Sequence, residues 1–517
     1  MKKNILAIGI VFLFIVSSVT PIVFGYNVKT SINRKSNHRT DISVKNNHNE
    51  IDWWPMFHHD LGHSGYSTST APDTNNIIWS YKTGSLIFSS PAVEGGKVYI
   101  GSGDDKVYCL DAYTGGFIWS FTTGDFVYSS PAVADGRVYT GSYDGKVYCL
   151  DAASGSKIWD YTTGYSVVSS PIVEGGKVYI GSGDDKVYCL DASTGVFIWS
   201  YTTGNNVDSS PAVVNGRVYI GSLDGKVYCL DAYTGGFIWS FTTGDFVYSS
   251  PAVTNGKVYI GSLDGKVYCL DAYTGGFIWS FTIGDFVYSS PAVVDSRVYI
   301  GSRDYKVYCL DAYDGDFIWS YTTDDIIDYS SPAVADGMVY IGSGDDKVYC
   351  LDAYTGGFIW SYTIGAGILS SPAIAGGKVY IGSYDCKVYC FGENENQSPN
   401  TPTISGQTEG KPNIAYDFIF NALDPDEDDV RFTISWGDGD NETTSFVSSG
   451  TNITISHIWA TKGTYTISVK AEDEYGLLSP ETTLEVTIPR NRALLNTQPI
   501  LLWLLEKFPM LRNLLGL

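Results

Sequence analysis

A tryptophan returns along this chain at a fixed interval. Trp79, Trp119, Trp159, Trp199, Trp239, Trp279 and Trp319 stand 40 residues apart, and Trp360 follows after 41. Two further signatures keep step with it. Ser-Ser-Pro recurs eight times, from Ser89-Ser90-Pro91 to Ser370-Ser371-Pro372, and Val-Tyr-Cys likewise from Val107-Tyr108-Cys109 to Val388-Tyr389-Cys390. Within one unit, Pro91-Ala92-Val93 turns at Glu94-Gly95-Gly96 into a second strand, Lys97 to Ser102. That strand turns at Asp104-Asp105 into a third, Lys106 to Asp111, and Thr114-Gly115-Gly116 leads to an outer strand, Phe117 to Thr122. Asp-Gly, Asn-Gly and Gly-Gly pairs at these turns supply the positive φ that two-residue hairpins require.

Several short strands in a period near 40 predict an all-β array of stacked sheets, a β-propeller. Val107 and Cys109 point to one face of their strand, Tyr108 and Leu110 to the other. Apolar residues on both faces are expected where blade packs against blade. The ends of the array decide how it closes. Ile77-Ile78-Trp79-Ser80-Tyr81 is an outer strand with no blade before it, and the last unit, Ser370 to Phe391, lacks its Trp strand. Each supplies what the other lacks, so an eight-bladed ring closed by the N-terminal strand leaves no open edge. A linear solenoid would instead need capping repeats. Burying roughly 200 Å² of indole per blade contributes at most about 5 kcal/mol.

Eight of the nine cysteines, Cys109 through Cys390, hold one equivalent position. Neighbours in an eightfold ring are on the order of 10 Å apart, beyond the roughly 7 Å that a disulfide spans. They read as small buried hydrophobes. Cys386 replaces the turn glycine seen at Gly145 and Gly225 and is expected as an exposed thiol. The aspartates from Asp104 to Asp385 that open the same turn in every blade read as hairpin chemistry.

With 33 basic against 56 acidic residues, the formal charge is −23. Such a surface repels phosphate backbones, which excludes nucleic acid as a partner. Lys2 and Lys3 precede an apolar run from Ile5 to Val16, and Val23-Phe24-Gly25 offers a cleavage site. Residues 1–25 therefore read as a signal peptide, the run being short for a spanning helix. Residues 26–52 are polar and read as a disordered spacer. A secreted or cell-surface protein is expected.

Leu110-Asp111-Ala112-Tyr113-Thr114-Gly115-Gly116-Phe117-Ile118-Trp119 is similar to the Trp-docking repeat of the pyrroloquinoline quinone (PQQ)-like propellers. Trp54-Pro55-Met56-Phe57, with Asp60 and Gly65, resembles the segment that precedes such arrays, so the resemblance covers about residues 53–392. That superfamily includes quinoprotein alcohol dehydrogenases and the non-catalytic propeller of the bacterial outer-membrane barrel assembly machinery. The enzyme reading implies PQQ, calcium, a catalytic aspartate, an aromatic platform and usually a vicinal disulfide. This chain has no Cys-Cys pair, and its blades are near copies where an axial active site needs unlike residues. The expectation is therefore a chain that is not an enzyme and takes no PQQ. A PQQ-dependent oxidoreductase is the alternative.

The repeats differ most in the blade-to-blade loops, and the candidate ligand-binding residues are drawn from there: Asp125, Phe126, Tyr128, Asp208, Asp245, Phe246, Tyr248, Phe286, Tyr288 and Asp328, with Arg303 from a neighbouring turn. An acidic, aromatic-studded face suits sugars, cationic peptides or divalent cations. His58, His59, Asp60 and His63 have a spacing that suits a metal, but they lie on no evident helix.

Residues 393–402 form a polar linker, and beyond it the Trp repeat stops. Trp436-Gly437-Asp438-Gly439, His457-Ile458-Trp459 and Gly463-Thr464-Tyr465 closely resemble the PKD (polycystic kidney disease) family of Ig-like sandwiches, which places such a domain at 403–489. The resemblance implies an extracellular spacer, adhesion unit or polysaccharide contact. Asp424, Asp426, Asp428 and Asp429 crowd one loop and are candidate calcium ligands. Asn396, Asn441 and Asn452 lie in glycosylation sequons. The apolar tail, 490–517, is broken by Pro499 and Pro509 and is expected to lie on a membrane surface or to pack as a terminal helix. The expected function is a surface binding scaffold for proteins or polysaccharide, with the propeller as platform and the sandwich as spacer.

Overall fold

The structure, a computed structural model, describes residues 51–393, 396–426, 428–474 and 476–489, together with Lys507. The predicted signal peptide and tail lie outside the described residues, Lys507 apart.

Eight antiparallel sheets follow one another from residue 77 to residue 391. In the first, Ala92–Glu94, Lys97–Ser102, Lys106–Asp111 and Phe117–Thr122 pair in that order. Cys109 pairs with Trp119 but Leu110 with Phe117, so Ile118 is the extra residue of a bulge. Ile77–Lys82 pairs antiparallel with Lys387–Phe391, Trp79 opposite Cys390, and completes the eighth sheet. The ring therefore closes as its ends predict.

Packing between blades explains the repeat. Val107, Cys109 and Leu110 have no exposed surface, and Tyr108 retains 6%. Trp79 Nε1 donates to the Ala112 carbonyl of the next blade at 3.0 Å, and the bond recurs around the ring. Trp360 instead donates to the carbonyl of Pro72, because the eighth outer strand comes from the start of the array. Gly115 has φ +69°, and a Cβ there would lie 2.6 Å from the Trp79 ring, so only glycine fits against the indole. All nine cysteines are free, and eight are buried. Cys386 is half-buried, not exposed: it sits in the turn at φ 69°, where its sulfur lies 3.8 Å from the carbonyl oxygen of Tyr384.

The innermost strands leave one edge of each blade facing the axis, and the segment before the array meets that edge in six of the eight blades. Trp54 pairs with Val93 in both directions. The carbonyls of Pro55, Leu61, Gly62, Ser64 and Gly65 then accept the amides of Val133, Val213, Val253, Val293 and Val334. Residues 54–65 thus run from blade to blade across one end of the hub. Asp52 fixes the approach by accepting hydrogen bonds from Ser67, Thr68 and His59.

Beyond the linker, a three-stranded sheet (Thr403–Gly406, Ala415–Asn421, Ile453–Ile458) faces a four-stranded one (Asn441–Thr443, Val430–Ser435, Gly463–Asp473, Thr482–Ile488). Trp436 and Trp459 fill the core between them, and His457 stacks flat on Trp436 at 4.5 Å while its Nε2 meets Asp438 at 2.8 Å. This is the Ig-like sandwich that the sequence predicts after the propeller. Among the described residues no helix is long and apolar enough to cross a membrane.

Candidate functional site

The hub is built in tiers by the loop that carries the chain from each outer strand to the next inner strand. The second serine of each Ser-Ser-Pro forms the first tier. Its amide donates to the hydroxyl of its counterpart one blade on, at 2.9–3.0 Å, from Ser90 to Ser130 and so on to Ser371, which returns to Ser90. Eight hydroxyls so held encircle the axis; that of Ser331 donates to the Tyr329 carbonyl at 3.4 Å, and the others keep a hydrogen to donate. The first serine is spent on structure: Ser89 Oγ accepts from Gly101 N.

Two residues before this ring the repeats diverge, and they form a collar of Phe88, Tyr128, Val168, Asp208, Tyr248, Tyr288, Tyr329 and Leu369. The rings touch in sequence: Tyr248 to Tyr288 at 5.2 Å, Tyr288 to Tyr329 at 4.9 Å, Tyr329 to Phe88 at 4.9 Å, Phe88 to Tyr128 at 5.2 Å and Tyr128 to Tyr143 at 5.2 Å. Val168 and Asp208 occupy the gap. Collar, serines and Phe57 together enclose a funnel of about 300 Å³. Phe57 comes from the segment that spans the opposite end, so that segment floors the cavity. Beneath it His58 and His63 are buried, and burial drives them down to about 3 and about 4, hence neutral. Burial acts upward on Asp60, yet hydrogen bonds from His59 and Ser64 hold it at about 2.

Among the described residues, Asp208 is the one charged side chain of the lining. Burial pushes it up to about 6, and the phenols of Tyr143, Tyr248 and Tyr329 are its electrostatic neighbours. A carboxylate walled by aromatic rings attracts cations through charge and through the ring faces.

Of the residues singled out in the sequence, Tyr128, Asp208, Tyr248 and Tyr288 meet in the funnel. Phe126, Phe246 and Phe286 are outside the lining, 41%, 43% and 40% exposed, with Phe126 against Tyr128 and Phe286 against Tyr288. Asp125 and Asp245 accept the amides of Phe126 and Phe246 and shape the loop rather than the lining. Arg303 and Asp328 pair with each other at 3.1 Å, and the guanidinium lies over Tyr288 at 5.1 Å. The turn aspartates are committed as well: Asp104 accepts Gly84 N at 2.9 Å and the Tyr108 hydroxyl at 2.5 Å. Sequence reasoning did not assign Phe88, Tyr143, Tyr329, Phe57 or the serine ring to the site. The invariant second serine was visible in the triplet but served only to count repeats.

In the sandwich, Asp424 and Asp428 come together with Asp473, one oxygen of each within 4.8 Å of the others. Asp426 instead accepts Gln397 N at 2.6 Å, and Asp429 is not part of the group. A second group, Asp438, Asp440 and His457, has exposed aspartates.

The chain thus joins an eight-bladed β-propeller to a C-terminal Ig-like domain that matches the PKD family. Residues 98–336 match the family described as the β-propeller of the beta-alanine-activating enzyme, and residues 406–486 match the PKD domain. No curated protein matches the chain. Among solved structures it is similar to BamB from Moraxella catarrhalis, with 19% identity and a TM-score of 0.56 over 63% of this chain and 99% of that one. It is also similar to quinohemoprotein alcohol dehydrogenase from Comamonas testosteroni (17%, TM-score 0.59, 67% and 81%). A europium-containing methanol dehydrogenase matches too (17%, TM-score 0.55, 69% and 90%). At these identities the likeness is one of fold. The expectation that the chain is not an enzyme is overturned, because the matched family and two of these structures carry enzyme names. Its premise fails physically too: the blades are near copies in their strands but not in the collar, where Asp208, Val168 and Leu369 break the symmetry.

Proposed function

We propose that the propeller is an extracellular ligand-binding module whose axial funnel takes a molecule bearing a positively charged nitrogen, with the PKD domain as a spacer. Asp208 carries this reading: a lone carboxylate in an aromatic collar, raised by burial and held by no basic side chain of the lining. The ammonium head sits against Asp208 and the faces of Tyr143, Tyr248 and Tyr329, and acceptor atoms deeper in the ligand meet the serine hydroxyls. Each such charge–ring contact contributes about 0.5–2 kcal/mol when desolvated. A tricarboxylate such as PQQ suits this lining poorly, since Asp208 repels it. Export is supported by the basic and apolar start of the chain, Lys2 to Val16.

The test is calorimetric titration of the full chain with tetramethylammonium and with lysine methyl ester at pH 8. Binding to the native chain, weakened at least about tenfold in Asp208→Asn, is the expected result. Equal affinity of the two proteins, or no heat at millimolar ligand, removes the reading.

A further inference from the structure

We infer that two neighbouring grooves between blades, at the end of the propeller crossed by residues 54–65, bind a neutral oligosaccharide. The fourth, fifth and sixth sheets begin at Ala212, Ala252 and Ala292. Between the fourth and fifth lies a cavity of about 340 Å³, lined by Asn215, Asn255 and Tyr273 over the buried Tyr219. Between the fifth and sixth lies one of about 580 Å³, lined by Asn255, Lys257, Asp295, Ser296 and Tyr313 over the buried Tyr259. Asp60 and Ser64 border the second from the hub. Thr254 and Asn255 line both cavities, so the turn that carries them is a shared wall. Neither groove has a lining residue in common with the funnel.

The two tyrosines are not needed to make the fold. Tyr273 is 53% and Tyr313 78% exposed. Asp271 and Asp311 build their turns by accepting the amides at 273 and 313. Asp151 and Asp191 build the same turn where the second and third blades carry Ala153 and Ser193. The rings are nevertheless held in place. Arg217 and Lys257 donate to carbonyls of these turns at 2.8–3.2 Å and lie over Tyr273 and Tyr313 at 5.2 and 4.8 Å. An aromatic face fixed in advance loses little freedom when a ligand stacks on it. Beside it, Asn215, Asn255 and Ser296 offer two amides and a hydroxyl that no hydrogen bond among the described residues engages. Asp295 meets the Tyr354 hydroxyl with one oxygen at 3.3 Å and keeps the other. A sugar ring has an apolar C–H face for the aromatic plane and a rim of hydroxyls for amides and a carboxylate. Both basic groups are engaged by carbonyls and Asp295 repels a uronate, so the sugar is neutral.

The full chain is titrated by calorimetry with maltohexaose and with laminarihexaose, and saturation-transfer NMR records which sugar protons meet the protein. The native chain is expected to bind at least one hexamer at millimolar concentration or below. It should bind the matching disaccharide at least about tenfold more weakly, because the hexamer reaches both grooves. The variants borrow what other blades carry at the same places: Tyr273→Ala/Tyr313→Ser follows Ala153 and Ser193, and Asn255→Gly follows Gly95. Each should weaken the hexamer at least about fivefold while thermal unfolding stays where it is. Asp208→Asn should bind the hexamer as the native chain does. No binding of either hexamer, equal affinity for the disaccharide, affinity unchanged in both groove variants, or the same loss in Asp208→Asn overturns the assignment. The last result alone would move the sugar to the funnel.

Discussion

Asp208 stands where the equivalent blades place Phe88, Tyr128, Tyr248, Tyr288 and Tyr329. Its carboxyl is raised to about 6 by burial alone, so at pH 8 the folded protein holds an ionised group it would solvate better unfolded. A raised carboxyl costs stability in full above its folded value, and that cost shrinks as pH falls from about 6 towards the unfolded value of 3.8. Asp208→Asn is therefore expected to stabilise the fold at pH 8 by about 1–2 kcal/mol and to change little at pH 4, as read by urea unfolding. Cation binding should show the reverse dependence and weaken as pH falls below about 6. A residue that raises stability when removed and lowers affinity when removed is one kept for a ligand. Gly235 illustrates the opposite case. It has φ +70°, and a Cβ would lie 2.6 Å from Trp199, so Gly235→Ala should cost about 2–4 kcal/mol in the same assay. Such a glycine is legible in the sequence because eight copies repeat it. Asp208 is legible as a departure, but the rings that face it are not, since Tyr143 and Tyr329 reach it from other loops only once the ring has closed.

The elements divide along the same line. Hairpins such as Lys97–Ser102 with Lys106–Asp111 follow from local alternation and turn residues, and they occur where the sequence places them. Residues 54–65 could not be read so, for they have no periodicity of their own. Their course is set by the free edges of the inner strands, and the histidines, a metal set by spacing, instead pack beneath Phe57. This burial predicts a pH response. His58 and His63 have folded values of about 3 and about 4 against 6.5 unfolded, so the unfolded chain takes up the protons. Stability is present in full above pH 6.5 and is lost as pH falls towards 4, at up to roughly 2.7 kcal/mol per pH unit for the pair. The facing groups do not cancel this. Asp60 changes only below 3.8, and His59, raised by Asp60 and Asp52 against the pull of burial, acts above 6.5 with the opposite sign. Urea midpoints measured between pH 6.5 and 4 should fall steeply in the native chain, and the slope should flatten in His58→Gln/His63→Gln. A parallel slope in the double variant would place the titration elsewhere.

At the scale of the whole molecule, one blade differs from the other seven because it is made from both ends of the array. Ile77–Lys82 and Lys387–Phe391 lie roughly 300 residues apart, and bringing them together costs about 5 kcal/mol of chain entropy. Against this stand the buried Trp79, the strand ladder, and the hydrogen bond from Ser371 N to Ser90 Oγ that completes the serine ring. Because the outer strands are near copies, a strand from a second molecule can fill the same place. A chain beginning at residue 84 leaves the edge Lys387–Phe391 unpaired, and it has no outer strand to spare for a neighbour without opening another blade. It should therefore associate edge to edge, with mass rising with concentration in sedimentation, and unfold at lower temperature. A peptide spanning residues 74–83, added in excess, should restore the monomer, while the stability supplied by residues 54–65 stays lost. A truncated chain that stays monomeric and as stable as the native one would mean that closure rests on the serine ring of the hub, and on neither the shared sheet nor residues 54–65.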